Sequence, residues 1–177
     1  MIFEEKSEAF TVGIGLSSDE KYFMITSSDH NTSEQYYFKI DENNPDPKLI
    51  QKRKRGIIYS VNSWDSYFYK HTNENAEDFK IDRCNDLVEQ NWEPFVKAKD
   101  EVLIGGLVFL NHWIIRSETS NALGKIILRN PKTNEEEEIV FSDEKVIVPS
   151  ISLIQKDKDT DNAVSYTHLT LPTTPYV

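Results

Sequence analysis

One short pattern of aromatic residues returns along this chain at a fixed interval. Phe23, Phe68 and Trp113 are spaced 45 positions apart, Tyr22 and Tyr67 repeat the interval, and Val12, Ile57, Val102 and Ile147 fall on the same lattice. The stretch FTVGIGLSSDEKYFMITS (residues 10–27) shows what is being repeated. Phe10, Val12, Ile14 and Leu16 alternate with Thr11, Gly13, Gly15 and Ser17, the period of a strand with one face buried. Ser17–Glu20 is a polar turn, and the aromatic and β-branched run of residues 21–26 brings a second strand back beside the first. A β-rich unit recurring about every 40–50 residues is the signature of propeller blades.

The pattern predicts an all-β chain forming a partial β-propeller, about three to three and a half blades of four antiparallel strands. The first blade, near residues 4–54, takes strands at 10–16, 21–26, 35–40 and 48–51. The second, near 55–100, takes 57–61, 66–71, 78–82 and 92–96, with a short helical turn expected around residues 84–89. The third, near 101–144, takes 102–107, 112–116, 125–129 and 136–141, and an incomplete fourth occupies 145–162. Asp41–Asp46 (DENNPD) and the Asn130-Pro131-Lys132-Thr133-Asn134 turn carry the residues that close tight connections.

Composition narrows function by exclusion. With 30 acidic against 20 basic residues the formal charge is −10, which argues against a nucleic-acid partner, whose phosphates require neutralising cations. No apolar run approaches the roughly 18–20 residues of a membrane span, so no membrane partner is expected. A lone Cys84 has no internal disulfide partner and fits a reducing, cytoplasmic compartment. Lys52-Arg53-Lys54-Arg55 lies between two repeats and reads as a solvated connection.

No catalytic, cofactor or metal residue is assigned. There is no G-x-S-x-G elbow, no H-E-x-x-H and no C-x-x-C. His30 sits in a polar loop, His71 in the second repeat, and His112 opens a strand, with no nucleophile pattern around them. Asp157–Asp161 mimics a calcium loop but has Asn162 where the turn needs glycine. Glu135–Glu138 reads as an exposed hairpin, and Trp64-Asp65 as a chance dipeptide at a turn.

The last residues differ in kind. Val164–Val177 (VSYTHLTLPTTPYV) holds no charged residue, whereas the preceding 163 residues hold all 50. VSYTHLTLPTT resembles one reading frame of a common transposase sequencing adapter. Residues 163–177 are therefore expected to be adapter read-through, with the native reading stopping near Asn162.

An ordered series of segments is similar to one enzyme family. FEEKSEAFTVGIGLSSDEKY with Thr32-Ser33-Glu34, Arg53-Lys54 before Tyr59-Ser60, Tyr67–Tyr69, Asn73…Asn75…Phe79, Trp92-Glu93-Pro94, Leu110–Ile115 and Asn130-Pro131-Lys132-Thr133 resemble, in order and spacing, the propeller of the oligopeptidase B branch of the prolyl oligopeptidase family of serine peptidases. The resemblance covers residues 1–162. It implies a seven-bladed propeller covering an α/β-hydrolase domain with a Ser-Asp-His triad, which cleaves short peptides after Arg or Lys and excludes folded proteins. The triad and the groups reading the basic side chain lie in that other domain, so none maps onto a residue here. The chain is then a propeller segment with a gating role, its partners the hydrolase domain of the same protein and short basic peptides. The alternative is a stand-alone propeller that binds proteins.

Overall fold

The computed structural model describes residues 1–140, together with the backbone of 149–153 and 163–167. Two compact units divide it, residues 1–100 and 101–177.

In the first unit, β1 (Thr11–Leu16), β2 (Tyr22–Ser28), β3 (Ser33–Lys39) and β4 (Lys48–Gln51) form one antiparallel sheet in chain order. β5 (Tyr59–Trp64), β6 (Tyr67–Thr72), β7 (Lys80–Cys84) and β8 (Glu93–Val96) form a second of the same design. The second unit holds a third sheet, β9 (Leu103–Phe109), β10 (Ile114–Ser120), β11 (Leu123–Arg129) and β12 (Glu136–Ile139). It also holds a two-stranded pair of β13 (Pro149–Leu153) with β14 (Ala163–Thr167). The expected four-stranded repeats are thus present. The fourth repeat supplies β13, the first residues of the uncharged tail take the strand position beside it, and Asp157–Asp161 lies outside the described residues.

The second strands keep the 45-residue lattice, because Phe23 and Phe68 close their hairpins against Leu16 and Ser63, and Trp113 accepts the amide of Leu110. The first strands do not keep it. Leu16, Ser63 and Leu110 are 47 positions apart, since the residues lying between these facing positions and Phe23, Phe68 and Trp113 fall from six to four to two. Val12 therefore corresponds to Tyr59, not to Ile57, which precedes β5. In the second hairpin Asp65 and Ser66 both have positive φ (46° and 67°), the two-residue turn whose twist matches the flanking strands.

Two further expectations fail for local reasons. Among the described residues there is no helix at 84–89: the Asp86 carboxylate caps one turn by accepting the amides of Val88 and Glu89, and Gln90, with φ of 50°, ends it. A single α-type turn from Gln90 N–H to the Asp86 carbonyl remains. β1 does not bury an apolar face either: Val12, Ile14 and Leu16 are 44%, 62% and 37% exposed. It is an edge strand, paired on one side only, so its apolar side chains depend on cover from outside the sheet.

The core of the first unit lies between its two sheets. Met24 and Ile50 pack with Tyr59, Val61, Phe68, Cys84 and Leu87. The opposite face of the first sheet is closed in part by the N-terminal segment, where the Phe3 ring lies 4.8 Å from Tyr36. The third sheet has its own cluster of Leu110, Ile115 and Ile126.

Candidate functional site

A β-bulge between Gln35 and Tyr36 breaks the β3–β4 register and leaves backbone groups without ladder partners. The second sheet supplies them. The Tyr59 phenol accepts the amides of Gln35 (2.7 Å) and Gln51 (3.2 Å) and donates to the Gln51 carbonyl (2.5 Å). The Ser33 hydroxyl donates to the Tyr59 carbonyl and accepts its amide, both at 2.7 Å, and Gln35 Oε1 accepts the Val61 amide at 2.6 Å. Burial pushes the Tyr59 phenol up to about 12, so it stays a neutral donor and acceptor. Buried bonds of this kind fix one alignment of the two sheets, because any slip strands several polar groups at once.

A second polar layer lies farther along the same interface. Lys70 is 6% exposed, donates from Nζ to Gln51 Oε1 at 3.3 Å and stands 4.5 Å over the Trp92 ring. Burial holds its ammonium below the usual lysine range, against the pull of Asp82 and Glu74. At the hairpin end, Asp19 accepts from the hydroxyls of Ser17 and Ser63 (2.7 and 2.8 Å), tying the first turn to β5.

Between β1 and β5 is a cleft of about 370 Å³, walled by Gly13, Gly15, Leu16, Ser60 and Asn62 with Thr26 on its floor. A Cβ built on Gly13 or Gly15 would meet nothing within 4 Å, so both glycines border open space.

The residues singled out by sequence are not brought together. His30 is exposed in the β2–β3 turn, and His71 on β6 stacks on Phe79 at 4.6 Å. His112 lies in the β9–β10 turn instead of opening β10. Serines that meet a carboxylate (Ser17, Ser27 and Ser63) do so directly, with no imidazole between. Among the described residues no group of three His, Cys, Asp or Glu could hold a metal. Burial raises the Cys84 thiol to about 11, which suppresses its thiolate. What the arrangement can do is align, wall off and exclude.

Two charge runs have more structure than their composition suggested. Arg53 is not simply solvated: its Nη2 meets Glu5 Oε2 at 2.8 Å, its Nε lies 3.5 Å from Glu34, and its guanidinium covers the Phe10 ring at 4.2 Å. In the third sheet Glu136, within the acidic run, grips the buried Arg116 through two bonds of 2.9 Å, while Arg116 Nε meets Glu118 at 2.8 Å. Tyr59, Ser33 and Gln35 escaped sequence reasoning as functional residues, although Ser33 and Tyr59 both lie in segments carrying the family resemblance.

Comparison with known proteins agrees with this architecture. The family model described as the prolyl oligopeptidase N-terminal beta-propeller domain matches residues 1–177. Protease 2 of Moraxella lacunata is 35% identical over 118 residues, 60% of this chain and 17% of the relative. Dipeptidyl aminopeptidase BI of Pseudoxanthomonas mexicana is 25% identical over 179 residues, 99% of this chain and 24% of the relative. Among solved structures, oligopeptidase B from Trypanosoma brucei superposes with a TM-score of 0.78 at 18% identity, over 90% of this chain and 24% of that one. The chain thus spans between 17% and 24% of the length of these relatives.

Proposed function

Because the chain belongs to the prolyl oligopeptidase N-terminal β-propeller family, we propose that it forms part of the gating propeller of an oligopeptidase-B-like serine endopeptidase cleaving short peptides after Arg or Lys. The observation that carries this reading is the family match, which takes in all three four-stranded meander sheets. In the whole protein an α/β-hydrolase domain supplies the nucleophile, its base and the oxyanion donors. The propeller acts by shape: two sheets locked by Tyr59, Ser33 and Gln35 make a stiff wall that admits a flexible peptide and turns away a folded protein. The protein works in the cytoplasm, where Cys84 stays reduced.

Residues 163–177 are proposed to be adapter read-through, on the support of their lack of charge and their likeness to the adapter frame. Genomic sequence across the codon for Asn162 tests both proposals. A reading frame that continues through more blades into a G-x-S-x-G segment supports the peptidase; a stop codon supports the stand-alone scaffold. The complete protein is then expected to cleave a dibasic fluorogenic peptide and to lose that activity to a serine-directed organophosphonate, while the 177-residue chain does neither. Cleavage by the short chain that the organophosphonate abolishes would overturn the assignment.

A further inference from the structure

Aromatic rings on this chain are repeatedly covered by its own cations. Arg53 lies over Phe10, Lys70 over Trp92, and Arg83 over both Tyr67 and Phe95. Tyr22, Tyr37 and Phe68 are not among the rings so covered. Their ring centroids are 5.2 to 6.5 Å apart and their planes inclined by 56° to 66°, so the three rings pack on one another edge-to-face and not as a stack. The three rings border a cavity of about 300 Å³ between the first two sheets.

The rim carries charge of both signs. Asp86 and Glu42 line it with Lys39 and Lys48, and the two lysines are exposed. Asp86 is held in place because one carboxylate oxygen, Oδ1, accepts the amides of Val88 and Glu89. Burial holds both phenols above the usual tyrosine range, and nearby carboxylates, Asp86 among them, add to it. Aromatic faces joined to a fixed carboxylate make a setting that favours a poorly hydrated cation over a neutral group of the same shape.

We propose that Tyr22, Tyr37 and Phe68, with Asp86 at the rim, form a binding cup for an organic ammonium group. The cup needs nothing from a hydrolase domain, so it stands whether or not the peptidase reading does.

The test is a titration of the full chain, carbon-13 labelled in its aromatic rings, with choline chloride and separately with its neutral isostere 3,3-dimethylbutan-1-ol. Choline is expected to shift the Tyr22, Tyr37 and Phe68 ring signals saturably, and to bind at least about fivefold tighter than the isostere. Nα-acetyl-lysine methylamide presents the ammonium group on a peptide side chain. Tighter binding of that probe than of choline assigns the cation to a peptide, and the reverse to a free ion. Asp86→Asn, which preserves the turn-capping oxygen, should narrow the preference over the isostere, and Tyr37→Leu should abolish ring shifts. Equal binding of choline and the isostere, or no shift of the three rings with either ammonium probe, overturns the proposal. The wild-type comparison decides it even if the Tyr37 variant fails to fold.

Discussion

Ser33 and Tyr59, on different sheets, share a pair of hydrogen bonds through one hydroxyl: Ser33 Oγ donates to the Tyr59 carbonyl and accepts the Tyr59 amide, each at 2.7 Å. A serine hydroxyl can do both at once, so a single small side chain substitutes for a missing strand partner.

Tyr59→Phe removes the phenol oxygen that serves Gln35 and Gln51 and leaves buried backbone groups unpaired. We expect a loss of about 2–3 kcal/mol in urea unfolding. Tyr67→Phe, altering a phenol on the partly exposed start of β6, should change stability by less than about 0.5 kcal/mol. Equal effects of the two substitutions would remove the special standing of the Tyr59 hydroxyl.

Gly13 and Gly105 should respond oppositely to alanine. A Cβ at Gly13 meets open space, and restricting the unfolded chain there is expected to be neutral or to stabilise by up to about 1 kcal/mol. At Gly105 the same atom would lie 2.1 Å from Ser117 Oγ and 3.2 Å from its carbonyl oxygen. That residue belongs to a bulge in which Gly105 and Gly106 face Ser117 alone, and Gly105→Ala should cost more than about 1 kcal/mol. Thermal melts of the two variants make the comparison.

How much of this was legible in the sequence differs by level. The strand order followed from the aromatic lattice, since a repeated hairpin needs little beyond alternation and turn residues. β4, at Lys48–Gln51, fell where residues 48–51 were expected. The exposure of Ile14 was not legible, because alternation shows that a strand has an apolar side and not that anything covers it. The bonds of Tyr59 to Gln35 were equally hidden: they depend on a bulge, and a one-residue slip leaves no mark in composition. The role of Glu136 was masked by its acidic neighbours, all of which look alike until Arg116 is placed among them.

Acid should weaken the N-terminal attachment. Hydrogen bonds from Ser27 and Ser7, with Arg53 adding a bond and its charge, lower the Glu5 carboxyl from 4.5 to about 2. A carboxyl depressed in the folded state contributes stability that is complete above its unfolded value of 4.5 and disappears as pH falls through about 2. The gap in urea midpoint between wild type and Glu5→Gln should therefore be widest near neutrality and close steadily below pH 4.5. A constant gap down to pH 2 would assign the difference to packing.

Ala122→Gly should stabilise the third sheet. Asn121 and Ala122 form the β10–β11 turn with φ of 50° and 61°, and alanine has no side-chain bond to offset the left-handed strain. The expected gain is about 1 kcal/mol, read from the thermal midpoint.

Counted between their last paired residues, the first hairpins of the three sheets enclose six, two and four residues, and the second hairpins of the first two sheets enclose four and seven. A residue added inside such a loop leaves the facing of both strands as it was, whereas one added inside a strand sends its neighbours across the sheet. Length polymorphism compared across related genes should therefore run in single codons at these turns and stop where the ladders begin.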